Sequence, residues 1–147
     1  MTNSGLEELF SSLTNTNHKI TSPRTSEYNC FAWAAEENDR WWSPSEDLEE
    51  YYWLDGAPKE LSLDGITETY RLLGYEPCES SEIEEYFQKI AIYMKDGKPC
   101  HAARQLSNGK WTSKLGGWED IEHELIGLEG IGEHEYGYVE QILKRKI

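Results

Sequence analysis

The chain has 147 residues, a length suited to one globular domain, and its 37% hydrophobic and 29% charged composition favours a packed core over disorder. Twenty-eight acidic against fourteen basic residues give a formal net charge of −14, which sets nucleic acids and anionic membranes aside as partners because both repel it. No apolar run approaches the about 20 residues of a membrane helix, and the start, MTNSGLEELF, lacks the basic and apolar regions of a signal peptide, so the expected compartment is the cytoplasm, where thiols stay reduced.

In chain order, residues 1–25 read as a polar lead-in with a short helix over Leu6 to Leu13, and residues 26–147 as a single domain. Ser26 or Asn29 is placed to cap a helix from Cys30 to Glu37, with Phe31, Ala34 and Ala35 at helical spacing. Arg40 to Pro58 is aromatic, acidic and broken by Pro and Gly, which predicts a loop that packs its rings. Ser62 to Leu73 is amphipathic, with Ile66, Tyr70 and Leu73 on one face and Gly74 at the C′ position, and Glu82 to Gln88 suggests a further short helix.

The period then changes. Lys89 to Lys95 reads as a strand, Asp96-Gly97 as a hairpin turn, His101 to Leu106 as a second strand, Asn108-Gly109 as another turn and Lys110 to Leu115 as a third strand. Trp118 to Leu128 predicts a helix, and Tyr136 to Lys146 a closing strand with a basic end. Helices followed by antiparallel strands predict an α+β domain, its N-terminal helices packed on a small antiparallel sheet.

The three cysteines, Cys30, Cys78 and Cys100, form no Cys-x-x-Cys pair, and no Asp-x-Asp-x-Asp-Gly loop is present. No metal and no cofactor is expected. Cys78 and Cys100 read as packing residues. Cys30 differs, because a helix start presents unpaired N–H groups that favour a thiolate and can hold an oxyanion. A general base must come from elsewhere, and His101, opening a strand, is the candidate. His123 reads as a helix-packing residue and reserve base, while His18 and His134 lie in polar flanks with no role.

Tyr28-Asn29-Cys30 opening a helix, followed about seventy residues later by His101 at a strand start and the hairpin His101 to Gly116, resembles the papain-like cysteine hydrolases, in particular their compact bacterial cell-wall endopeptidases and amidases. From Tyr28 to Arg145 the chain also looks like a family of small uncharacterised bacterial domains with a YNC-aW stretch and an HAARQL-NG-WTSKLG stretch. The resemblance implies a papain-like fold with Cys30 as nucleophile, His101 as base and the third, imidazole-orienting position near Ser113, where relatives more often carry His, Asn, Asp or Gln. Hairpin parity decides that last position. A two-residue turn at Asn108-Gly109 puts Thr112 and Lys114 on the face of His101, whereas a three-residue loop, Ser107 to Gly109, puts Trp111 and Ser113 there.

The expected reaction is thiol-dependent cleavage of an amide bond by a peptidase, amidase or protein deamidase, with the Cys30 sulfur and a His101 ring nitrogen within about 4 Å. Tyr28, Asn29, Trp33, Trp41, Trp42, Arg104 and Lys114 are the candidate substrate-binding residues. The partner is a protein or peptide, and a basic one suits the acidity. The alternative is a non-catalytic papain-like module of immunity, inhibitor or effector type that binds a protein.

Overall fold

The structure, a computed structural model, describes residues 18–21, 28–37, 41–42, 53, 56, 62–115, 120–130 and 135–147. Helix α1 spans Cys30–Ala34. It starts where Asn29, in extended backbone, accepts the Ala32 N–H on its side chain, and it ends as Glu36 enters the left-handed region at φ 68°. Helix α2, Leu63–Arg71, begins in the same way at Ser62, whose Oγ accepts the Gly65 N–H at 3.0 Å. Gly74, at φ 96°, turns the chain beyond its end.

The remaining elements make one antiparallel sheet: β1 His18–Ile20, β2 Glu76–Cys78, β3 Phe87–Lys95, β4 Lys98–Gln105, β5 Trp111–Lys114, β6 Asp120–His123 and β7 Tyr138–Lys146, in the order β1-β6-β5-β4-β3-β7-β2. A short 3₁₀ turn, Leu125–Leu128, follows β6. Both sheet faces are covered, so alternation along each strand sorts side chains between two cores. Ile90, Ile92, Ala102 and Leu143 join Phe31, Ala32, Ile66, Tyr70, Trp42 and Trp53 on the helix side. Ala91, Tyr93, Ala103, Trp111, Leu115, Ile121, Leu128 and Ile142 form the other core.

The architecture corrects the expected fold class. Among the described residues the chain is a mainly-β, seven-stranded sheet with two short helices, not an α+β domain of N-terminal helices on a small sheet. Two expected helices are absent for physical reasons. Asp120 to His123 pairs with β5 and β1 as a strand, because its alternating side chains satisfy both a core and the helix side. Around residues 80–84 the chain is irregular, its carbonyls gathered by the buried Lys89 ammonium, which donates to Ser80 O and Glu82 O at 2.7 Å each and pairs with Glu84 at 3.0 Å. Strand β1 comes from the polar lead-in, and β7 inserts between β3 and β2 rather than closing the end of the meander. The expected helix at Leu6 to Leu13 lies outside the described residues, as does most of Arg40 to Pro58. Among the described residues no helix is long and apolar enough to cross a membrane.

Candidate functional site

The β4–β5 hairpin decides what His101 meets. Strand pairing runs Arg104↔Thr112 and Gln105↔Trp111, and Leu106 N–H donates to Lys110 O at 2.7 Å, which leaves Ser107 to Gly109 as a three-residue loop with Gly109 at φ 87°. Trp111 and Ser113 therefore share the face of His101. His101 Nε2 lies 2.9 Å from Ser113 Oγ, Ser113 Oγ lies 2.7 Å from His123 Nε2, and His123 Nδ1 lies 2.6 Å from the Glu124 carbonyl oxygen. The His101 ring stacks on Tyr136 at 4.1 Å and 3° and meets Tyr93 edge-on at 5.2 Å. It is wholly buried, and its Nδ1 has no hydrogen-bond partner. Burial, and then the neighbouring His123, hold this imidazole well below the ordinary histidine range, so it is neutral at pH 7.

Cys30 enters from the helix side. The β4–β5 ladder stops at Arg104↔Thr112, and α1 packs on both strands where they part. The thiol is 7% exposed, and burial pushes it up to about 12 against the opposing pull of the Ala102 amide beside it and the amides of Phe31 and Cys30. Ala102 follows His101 in β4. Tyr136, the ring stacked on His101, is itself raised by burial and then by the nearby Cys30 and Cys100 thiols. Among the described residues no hydrogen bond joins the Cys30 thiol to the His101 ring. Cys100 is the extra residue of a bulge between Tyr93↔His101 and Met94↔Pro99, and its thiol donates to Tyr136 O at 3.2 Å.

The other candidate residues gather on the helix side. Tyr28 donates its hydroxyl to Asp120 Oδ2 at 2.6 Å, and the Lys114 ammonium sits over the Tyr28 ring at 5.1 Å. Lys114 is thus turned away from His101 and leaves the imidazole's charge alone. Trp33 donates Nε1–H to Thr112 Oγ1 at 2.9 Å, with the Arg104 guanidinium 5.0 Å over its ring. Asn29 and Trp42 are clamped together: Asn29 Nδ2 donates to Trp42 O at 2.7 Å, and Trp42 N–H donates to Asn29 Oδ1 at 3.1 Å. Trp42 and Trp53 are buried core rings, while Trp41 is half-buried.

Tyr136 is the member of this site that the sequence did not mark, and His123, read only as a helix-packing residue and reserve base, stands behind Ser113. Reading Trp118 to Leu128 as a helix hid the alternation that turns Ile121 and His123 to one face of a strand. Among the described residues no group of three His, Cys, Asp or Glu side chains is placed to hold a metal ion.

No curated protein and no solved structure matches the chain, so nothing from that side supports a papain-like fold. One family does match, over residues 19–144, nearly the whole of the described sheet, and the chain belongs to it: the domain of unknown function DUF7689.

Proposed function

We propose that this domain is a thiol-dependent acyl-transfer enzyme that cleaves an amide bond in a protein or peptide, with Cys30 as nucleophile and His101 as general base. The observation that carries the reading is the buried Nδ1 of His101, a polar atom with no partner on a ring held at its other nitrogen by Ser113. Buried polar atoms are nearly always satisfied, and an orphan on an oriented imidazole suits a nitrogen kept for a reacting proton. In this mechanism the Cys30 sulfur bonds to the acyl carbon as its proton passes to His101 Nδ1. The imidazolium then protonates the departing amine, and water attacks the thioester with His101 again accepting the proton. At rest the thiol and the imidazole are both neutral, so charge develops only with substrate present. Catalytic contacts are often long in unliganded enzymes and tighten in the complex. A reducing, cytoplasmic setting suits such a free thiol.

The burial of Cys30 and its high pKa favour a second reading, a non-catalytic module that binds a basic protein. The generic acyl donor p-nitrophenyl acetate separates the two. The enzyme reading expects acetylation of Cys30, seen by mass spectrometry, abolished in Cys30→Ala and slowed at least ~10-fold in His101→Gln. Acetylation that spares Cys30 in the folded chain, or that ignores His101, overturns it.

A further inference from the structure

The hydrogen bonds beyond His101 form a one-way chain. The Glu124 carbonyl can only accept, so His123 Nδ1, 2.6 Å away, carries a hydrogen. When His123 carries that one ring hydrogen only, its Nε2 is bare and can only accept, and the Ser113 hydroxyl 2.7 Å from it spends its single hydrogen there. The Ser113 oxygen is left as an acceptor toward His101, so the hydrogen on that ring sits on Nε2, at 2.9 Å. His101 Nδ1 is left as a bare lone pair, and it is the nitrogen without a partner.

From this we infer that His123 is a positioning residue: acting through Ser113, it dictates which nitrogen of His101 carries the proton and keeps Nδ1 as the accepting one. The inference rests on the acyl-transfer reading for its purpose, but the tautomer itself can be read without any reaction. A lone serine cannot set this polarity. Its hydroxyl donates or accepts toward an imidazole equally well, and the ring would take either tautomer. The acceptor on the far side of Ser113 removes that choice, and the backbone carbonyl of Glu124 removes the same choice from His123. Second-layer partners commonly settle the tautomer of a working histidine in this way.

The test is the ring ¹⁵N spectrum of the full chain, through two-bond proton–nitrogen correlations at pH 7. The expected wild-type result is one tautomer at each ring, Nε2–H at His101 and Nδ1–H at His123. In His123→Phe, which keeps an aromatic ring and removes the acceptor, Ser113 is free to turn, and His101 should become a mixture or convert to Nδ1–H. His101 found as Nδ1–H in the wild type overturns the inference with no variant needed, as does a His101 tautomer unchanged in a folded His123→Phe chain. Correct tautomers with no acetylation of Cys30 would leave the proton chain standing and remove the enzyme reading instead.

Discussion

Replacing Asn29 by Ala tests how the start of α1, and with it Cys30, is held. Asn29 does two jobs. Its Oδ1 accepts the Ala32 N–H at 3.3 Å as a helix cap, a contribution of about 1 kcal/mol. The same amide group clamps the backbone of Trp42, accepting its N–H at 3.1 Å and donating to its carbonyl at 2.7 Å in a buried place. Removing the side chain strips both Trp42 groups of these partners, at about 1–3 kcal/mol each. Taking the low end of that range, because the adjoining chain can relax, the total is about 3–4 kcal/mol. Asn29→Ser separates the two jobs: a hydroxyl can still cap Ala32 but is too short to clamp Trp42, so it should recover only about 1 kcal/mol of the loss. Urea unfolding with an unchanged slope gives both values. A loss in Asn29→Ala of no more than about 1 kcal/mol, with Asn29→Ser equal to wild type, would mean that the clamp contributes nothing and that capping alone holds the helix start.

Further outcomes follow from the two buried titrating groups and the glycines. Burial holds His101 well below the ordinary histidine value of 6.5, so the unfolded chain binds its proton first. The stability this group contributes is whole above pH 6.5 and is lost as pH falls toward the folded value, at up to ~1.4 kcal/mol per pH unit; His101→Gln should flatten that acid limb in urea melts. Cys30 has the opposite sign, because its folded value is raised from 9.0 to about 12. Its contribution is whole below pH 9 and declines toward pH 12, and Cys30→Ala should make the alkaline decline shallower by ~1.4 kcal/mol per unit. Gly137 and Gly109 should respond differently to alanine although both have positive φ, 70° and 87°. A Cβ at Gly137 runs into the Met94 carbonyl oxygen, whereas one at Gly109 meets nothing within 4 Å. Gly109→Ala should therefore cost only the ~1–2 kcal/mol of the left-handed backbone, and Gly137→Ala clearly more, with thermal melts showing the gap.

Local chemistry made much of this chain legible. Asn29 and Ser62 mark helix starts because short polar side chains can accept the first free N–H groups, and Asp96-Gly97 marks the β3–β4 turn because both residues tolerate positive φ, 53° and 79°. The same reasoning puts Cys30 at a helix start. The seven-stranded sheet was not legible, because strand order depends on which distant segments bury each other's faces. Nothing near Tyr138 says that β7 will lie between β3 and β2, and nothing near His18 that it will pair with His123. Period was misread where short elements carry mixed acidic and apolar residues: four residues from Asp120 to His123 fit a helix turn or a strand, and only a partner on each side decides.

The site divides along the same line. Cysteine at a capped helix start and histidine in a strand of a hairpin meander can be read from residue order, since caps, turns and a two-residue period act over a few neighbours. The side chains facing His101 cannot, because one residue more or less in the Ser107 to Gly109 loop exchanges Ser113 for Lys114 on its face. The tertiary structure made that choice and then supplied His123 and Tyr136 from later in the chain. It also buried the thiol and the imidazole, and burial, more than sequence context, sets the protonation of both.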